Sequence, residues 1–146
     1  MKAYDTPDIR NVVLVGHGGS GKTTLTSSLL FSAGAAPRMG KVDDGSAPTD
    51  YDEEEIARKI SLQTGLGHVE HRGHKVNIID CPGYGAFLAD GKVAMRAADA
   101  AVMLVDAVAG VEVVTERTFG YATEFGLPMM FVINKMDREN ASFQRT

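Results

Sequence analysis

The chain has 146 residues, 44% of them apolar and 23% charged, a balance that fits one soluble globular domain large enough to bury a core. A formal net charge of −4 excludes a basic footprint, so neither autonomous nucleic-acid binding nor membrane-surface binding is expected. The single cysteine, Cys81, excludes an internal disulfide framework, and polar residues 1–10 lack an apolar signal core, so a cytoplasmic protein with no membrane span is expected.

The first apolar run, residues 12–15, is continuous rather than alternating, as in a parallel strand covered on both faces. It runs straight into Gly16-His17-Gly18-Gly19-Ser20-Gly21-Lys22-Thr23, which has the spacing of a phosphate-binding loop. Glycines there let successive backbone N–H groups turn inward around phosphate oxygens, and the positive end of the next helix adds to the grip. Lys22 is expected to reach the β- and γ-phosphates and the Thr23 hydroxyl to coordinate Mg²⁺, with Thr24 beside them in the nucleotide-binding set. A chance glycine-rich turn would lack the strand before it and the helix after it. That helix is predicted over 23–33, ending at Gly34 with Pro37 beyond.

Residues 38–59 are rich in Gly, Asp, Glu and Pro and include Asp52-Glu53-Glu54-Glu55; they read as a mobile loop with one short exposed helix. Residues 69–72 and 75–79, either side of Gly73, read as an antiparallel hairpin. The second of these segments ends in Asp80-Cys81-Pro82-Gly83. An aspartate there can hold Mg²⁺ through a water, and Gly83 can offer its N–H to the γ-phosphate. Loss of that contact on hydrolysis would release the following segment. Taken alone, Asp-x-Pro-Gly is only a turn signal. Its place between the phosphate loop and a later tetrad gives it the functional reading.

A helix is predicted over 87–98 and a strand over 101–105. In the next helix Val114, Thr118, Tyr121 and Phe125 recur at helical spacing before Gly126 and Pro128 stop it. The last apolar run, 129–133, ends in Asn134-Lys135-Met136-Asp137. One carboxylate, Asp137, can accept both the ring N–H and the exocyclic amine of guanine, whereas adenine presents an acceptor at the matching ring nitrogen. Sites built on such paired polar groups reject the wrong partner by roughly 10⁴-fold or more. Asn134 is expected on the purine edge and against the phosphate loop, the Lys135 stem across the ring, and Met136 in the core. The ligand so read is a guanine nucleotide. The element order is that of an α/β doubly wound, mostly parallel sheet with one antiparallel hairpin strand, its ligand groups at the carboxyl ends of the strands.

With these three motifs in order, the chain resembles the GTP-binding domain of a translational GTPase, nearest to elongation factor G and its divergent paralogues. Arg96-Ala97-Ala98-Asp99-Ala100-Ala101, Val105-Asp106-Ala107-Val108-Ala109-Gly110-Val111, Val114-Thr115-Glu116-Arg117 and residues 134–139 extend the likeness over nearly the whole chain. The resemblance implies a P-loop NTPase fold and Mg²⁺-dependent hydrolysis of GTP to GDP, stimulated by the ribosome and coupled to movement during translation. The ribosome would be met through the full-length protein. Residues 1–146 would then be the N-terminal portion of the GTP-binding domain, lacking the last strand and the final guanine-contacting loop. Strand 129–133 would be an open sheet edge that invites self-association.

The chain departs from the family pattern at the site itself. Where the family's first switch carries Arg-Gly-Ile-Thr, this chain has Arg58-Lys59-Ile60-Ser61, and Ser61 keeps a hydroxyl for the metal. The family's histidine after Asp-x-Pro-Gly, which positions the attacking water, is Tyr84 here. Tyr84 joins Lys22 and Gly83 in the expected catalytic group. Phenols ionise only near a pH of about 10, so a tyrosine orients and polarises water poorly at neutrality, and slow hydrolysis is expected. The family's phosphate loop usually reads Ala-His-Ile-Asp-Ala-Gly-Lys-Thr; this one keeps His17, read as a loop-packing residue, but has Gly18, Gly19 and Ser20. Two other readings are a nucleotide-gated binding module with negligible hydrolysis and an ATP-dependent P-loop kinase. Asn134 and Asp137 argue against the kinase.

Overall fold

The structure, a computed structural model, describes residues 3–146; the first two residues of the polar N-terminal stretch lie outside them. Five strands form one sheet: β1 (Ile9–Val15), β2 (Gly65–His71), β3 (His74–Asp80), β4 (Ala100–Asp106) and β5 (Met129–Asn134), in the order β2-β3-β1-β4-β5. Neighbouring strands run parallel except β2, which pairs antiparallel with β3 through the turn at Gly73. Register positions the site. Leu14 lies opposite Asp80 and Asp106 opposite Asn134, so the loops that follow β1, β3, β4 and β5 all leave from one edge of the sheet. This is the crevice in which open α/β sheets bind ligands.

The predicted continuous runs account for the buried centre. Val13, Val15, Ile79, Met95, Ala101, Met103 and Ala122 form the core on one face, and Leu14, Ile78 and Leu104 on the other. Helices α3 (Leu88–Arg96) and α4 (Val113–Glu124) contribute to the first face; Leu25 of α1 (Lys22–Ser32) packs on the second. The stripe read from the sequence holds in α4: Val114 and Thr118 are buried, and Tyr121 and Phe125 pack against the first cluster. Fully burying one such aliphatic side chain contributes about 1.5–3 kcal/mol, so the sheet centre can hold strained loops at its ends.

Four expectations are revised. The hairpin is longer than 69–79, because β2 begins at Gly65, where absent side chains let Thr49 and Leu30 pack close to Gly65 and Gly67. Residues 38–59 carry the expected short exposed helix, but its one buried residue, Glu55, ties it to the chain that follows, so it does not sit on a loose loop. Helix α2 (Glu53–Arg58) has a capping box between Asp52 and Glu55, and Glu55, only 1% exposed, also accepts the backbone N–H groups of Leu62 and Gln63 at 2.8 and 2.9 Å. Strand β5 lies at an edge of the sheet as expected, but it is not covered on both faces: Met130 is 64% and Phe131 52% exposed. Met136 is exposed rather than in the core, because the chain leaves the sheet after Asn134. Among the described residues no helix is long and apolar enough to cross a membrane.

Candidate nucleotide-binding site

Between β1 and α1 the backbone turns through left-handed conformations at Gly16, Gly19 and Gly21 (φ 138°, 77° and 100°), which favour glycine. Gly16 also sits so close to the end of β4 that any Cβ would strike the Leu104 carbonyl oxygen. Lys22 threads the inside of this loop. Its Nζ donates to the carbonyl oxygens of Gly16 (3.0 Å) and His17 (2.9 Å), leaving one ammonium proton for a ligand. Burial lowers the Lys22 pKa to about 8, against the opposing pull of Asp80 and Cys81. Gly83 lies against the same loop, where a Cβ would collide with Lys22 Nζ and stand 2.6 Å from the Gly18 nitrogen. His17 Nε2 lies 3.4 Å from a carboxylate oxygen of Glu112, the residue that immediately precedes α4.

A set of oxygens gathers beside Lys22. Thr23 Oγ1 lies 3.0 Å from Ser61 Oγ, which donates to Asp50 Oδ1 at 2.8 Å; Thr49 donates to Asp80 Oδ2 at 2.9 Å. Asp50 Oδ2 and Asp80 Oδ1 are buried with no partner among the described residues. Burial pushes the Asp80 carboxyl up to about 6, offset in part by the Thr49 and Thr23 hydroxyls and the Lys22 charge, and raises Asp50 as well. Two hydroxyls and two carboxylates with free oxygens fit the all-oxygen preference of a hard divalent cation. Thr23, Ser61 and Asp80 were expected in this role. Thr49 and Asp50 were not: inside an acidic loop they carry no spacing signal, and only folding brings them 31 and 11 residues along the chain to their partners.

At the other end, Asn134 Nδ2 donates to the Ser20 carbonyl oxygen at 2.9 Å, the predicted brace between the two loops. A Cβ on Gly21 would collide with that amide nitrogen. Lys135 takes a left-handed backbone (φ 62°) and reaches Asp106 Oδ2 at 2.6 Å. Asp106 also accepts the backbone N–H groups of Val108 and Ala109 at 2.8 and 3.2 Å. Burial alone would raise its pKa, but the Lys135 ammonium and the two N–H groups hold it down to about 2. The Lys135 side chain is thus pinned at its charged end. Asp106 had entered only as one of the residues carrying the family resemblance, and its role as the anchor for Lys135 was missed. Asp137 is exposed, between Lys135 and Arg138, both of which line the cleft.

The cleft these groups enclose has a volume of about 550 Å³ and is lined by Gly18, Lys22, Thr23, Ser61, Gly83 and Tyr84 among others. That volume suits a small-molecule ligand. Tyr84 is 41% exposed and lays its ring over Gly18.

Comparison with known proteins agrees with this geometry. Residues 7–146 match the family described as the Elongation factor Tu GTP binding domain. The chain is 41% identical over 140 residues to mitochondrial ribosome-releasing factor 2 of Lodderomyces elongisporus, covering 96% of this chain and 17% of that protein. It is 35% identical over 145 residues to elongation factor G of Dehalococcoides mccartyi, covering 99% and 21%. Among solved structures, a protein from Thermus thermophilus superimposes with a TM-score of 0.90 at 45% identity, covering 94% of this chain and 21% of that one. The elongation factor SelB of Methanococcus maripaludis, solved with the GTP analogue GPPNHP, shares the fold at a TM-score of 0.69 and 21% identity, covering 92% and 23%. The chain therefore spans about a fifth of the length of these relatives, and it belongs to the elongation factor Tu GTP-binding domain family, among the translational GTPases related to elongation factor G.

Proposed function

We propose that the chain binds Mg²⁺·GTP and hydrolyses it to GDP, slowly by itself and faster when the full protein meets the ribosome. The observation that carries the binding claim is the Asn134–Ser20 hydrogen bond, which joins the base loop to the phosphate loop in one cleft. Gly16 to Thr24 hold the phosphates through main-chain N–H groups, with the free proton of Lys22 on the β- and γ-phosphates. Thr23, Ser61, Asp80 and Asp50 hold the metal, which when bound draws charge from the transferring phosphoryl group. The Gly83 N–H senses the γ-phosphate. Asp137 reads the guanine edge, and the Lys135 stem, fixed by Asp106, covers the ring.

Tyr84 stands where the family pattern has its water-positioning histidine, and a phenol offers a donor where a base is needed. It favours a second reading, a GTP/GDP-gated binding module with negligible hydrolysis. Ribosome association is supported by the names of the relatives. The buried thiol of Cys81, its pKa pushed up to about 12 by burial and the neighbouring Asp80, suits a reducing compartment such as the cytoplasm. Single-turnover GTP hydrolysis with and without ribosomes tests the proposal. A rate raised by ribosomes supports it; tight guanine nucleotide binding with no hydrolysis in either condition supports the module.

A further inference from the structure

Two of the chain's departures, Gly18 and Tyr84, lie far apart and look unrelated in the sequence, yet they touch. Gly18 does not have the left-handed backbone of Gly16, Gly19 and Gly21, so nothing in its main chain demands glycine. The three atoms nearest to where its Cβ would stand all belong to the Tyr84 ring: Cζ at 2.9 Å, Cε1 and Cε2 at 3.0 Å. The hydroxyl-bearing end of the ring therefore rests on the missing side chain. The neighbouring Gly83 packs against Lys22 Nζ and the Gly18 nitrogen, which places this contact beside the Lys22 ammonium, at the phosphate end of the cleft.

We infer that Gly18 is a positioning residue for Tyr84, and that the pair forms a cover over the place of the terminal phosphate. The end of the ring can rest on the loop only because position 18 has no side chain. The inference rests on the proposed GTP site and deepens it: only a nucleotide with a third phosphate would meet the ring, so the pair discriminates GTP from GDP through its contact with that phosphate.

The test is a double-substitution cycle in the whole chain, titrating GDP and a non-hydrolysable GTP analogue against each variant. Gly18→Ala pushes a methyl group into the ring and should lower the affinity for the analogue roughly tenfold more than it lowers the affinity for GDP. Tyr84→Ala should lower the analogue's affinity to a similar extent, and Gly18→Ala added to Tyr84→Ala should cost less than about twofold more. Tyr84→Phe keeps the ring, so Gly18→Ala should still cost roughly tenfold in that background. Far-ultraviolet circular dichroism matching the parent chain separates displacement of the ring from misfolding. Additive losses at the two positions, or equal losses for GDP and the analogue, would overturn the inference while leaving the GTP site standing. A parent chain that bound neither guanine nucleotide would overturn both.

Discussion

Asp80 is the buried group whose chemistry conflicts most with its surroundings, so its replacement gives a test in which stability and function move in opposite directions. The carboxylate is 1% exposed, and burial lifts its pKa from 3.8 to about 6. A folded-state pKa above the unfolded one means that the folded chain binds the proton more tightly. That contribution is complete below pH 3.8 and is lost as pH rises through about 6. A shift of about two units at 1.36 kcal/mol each amounts to roughly 3 kcal/mol. In Asp80→Asn the amide cannot ionise, and its oxygen can still accept from Thr49. Part of the gain is returned at Lys22, which loses the negative neighbour that raises its pKa. Asp80→Asn should therefore be about 2 kcal/mol more stable than the parent at pH 7.5, measured by urea denaturation without nucleotide or metal. At a pH of about 4.5, where the folded carboxyl is mostly protonated, the advantage should shrink to about 1 kcal/mol or less. The same variant should need far more Mg²⁺ to bind GTP. A variant less stable than the parent at pH 7.5, or a difference that ignores pH, would refute the reasoning.

Asn134→Ala removes the brace on Ser20 and the proposed purine contact; at about 1 kcal/mol per hydrogen bond, GDP affinity in a fluorescence titration should fall roughly tenfold or more. Tyr84→His supplies an acceptor near neutral pH and should raise ribosome-stimulated turnover in the full protein, an effect absent if position 84 only packs. Lys135→Met leaves Asp106 with its two backbone donors but no ammonium. Its carboxyl titration, followed by carbon NMR, should move up from about 2, and an unmoved titration would show that Val108 and Ala109 alone hold it down.

What was legible in the sequence was local. The phosphate loop, the Asp80–Gly83 turn and the Asn134 tetrad each follow a continuous apolar run, and the run dictates both the strand and the end at which the ligand groups emerge. Helix α4 was legible because its apolar stripe repeats at helical spacing along its whole length. The parts that escaped depend on contacts far apart along the chain. Gly65 and Gly67 look like turn residues, but close packing against Thr49 and Leu30 draws them into β2. Glu55 sits in an acidic run that reads as solvated, yet it is buried because the backbone N–H groups of Asp52, Leu62 and Gln63 all turn toward its carboxylate. Met136 carries an apolar side chain in a loop whose neighbours face a ligand, so hydropathy pointed inward where the backbone points out.

The most direct test of the central claim is the choice of purine. The chain should bind GDP at least about a thousandfold more tightly than ADP, and Asp137→Asn should transfer that preference to xanthosine diphosphate. Equal affinity for ADP and GDP, or an Asp137→Asn variant that gains nothing for xanthine, would contradict it.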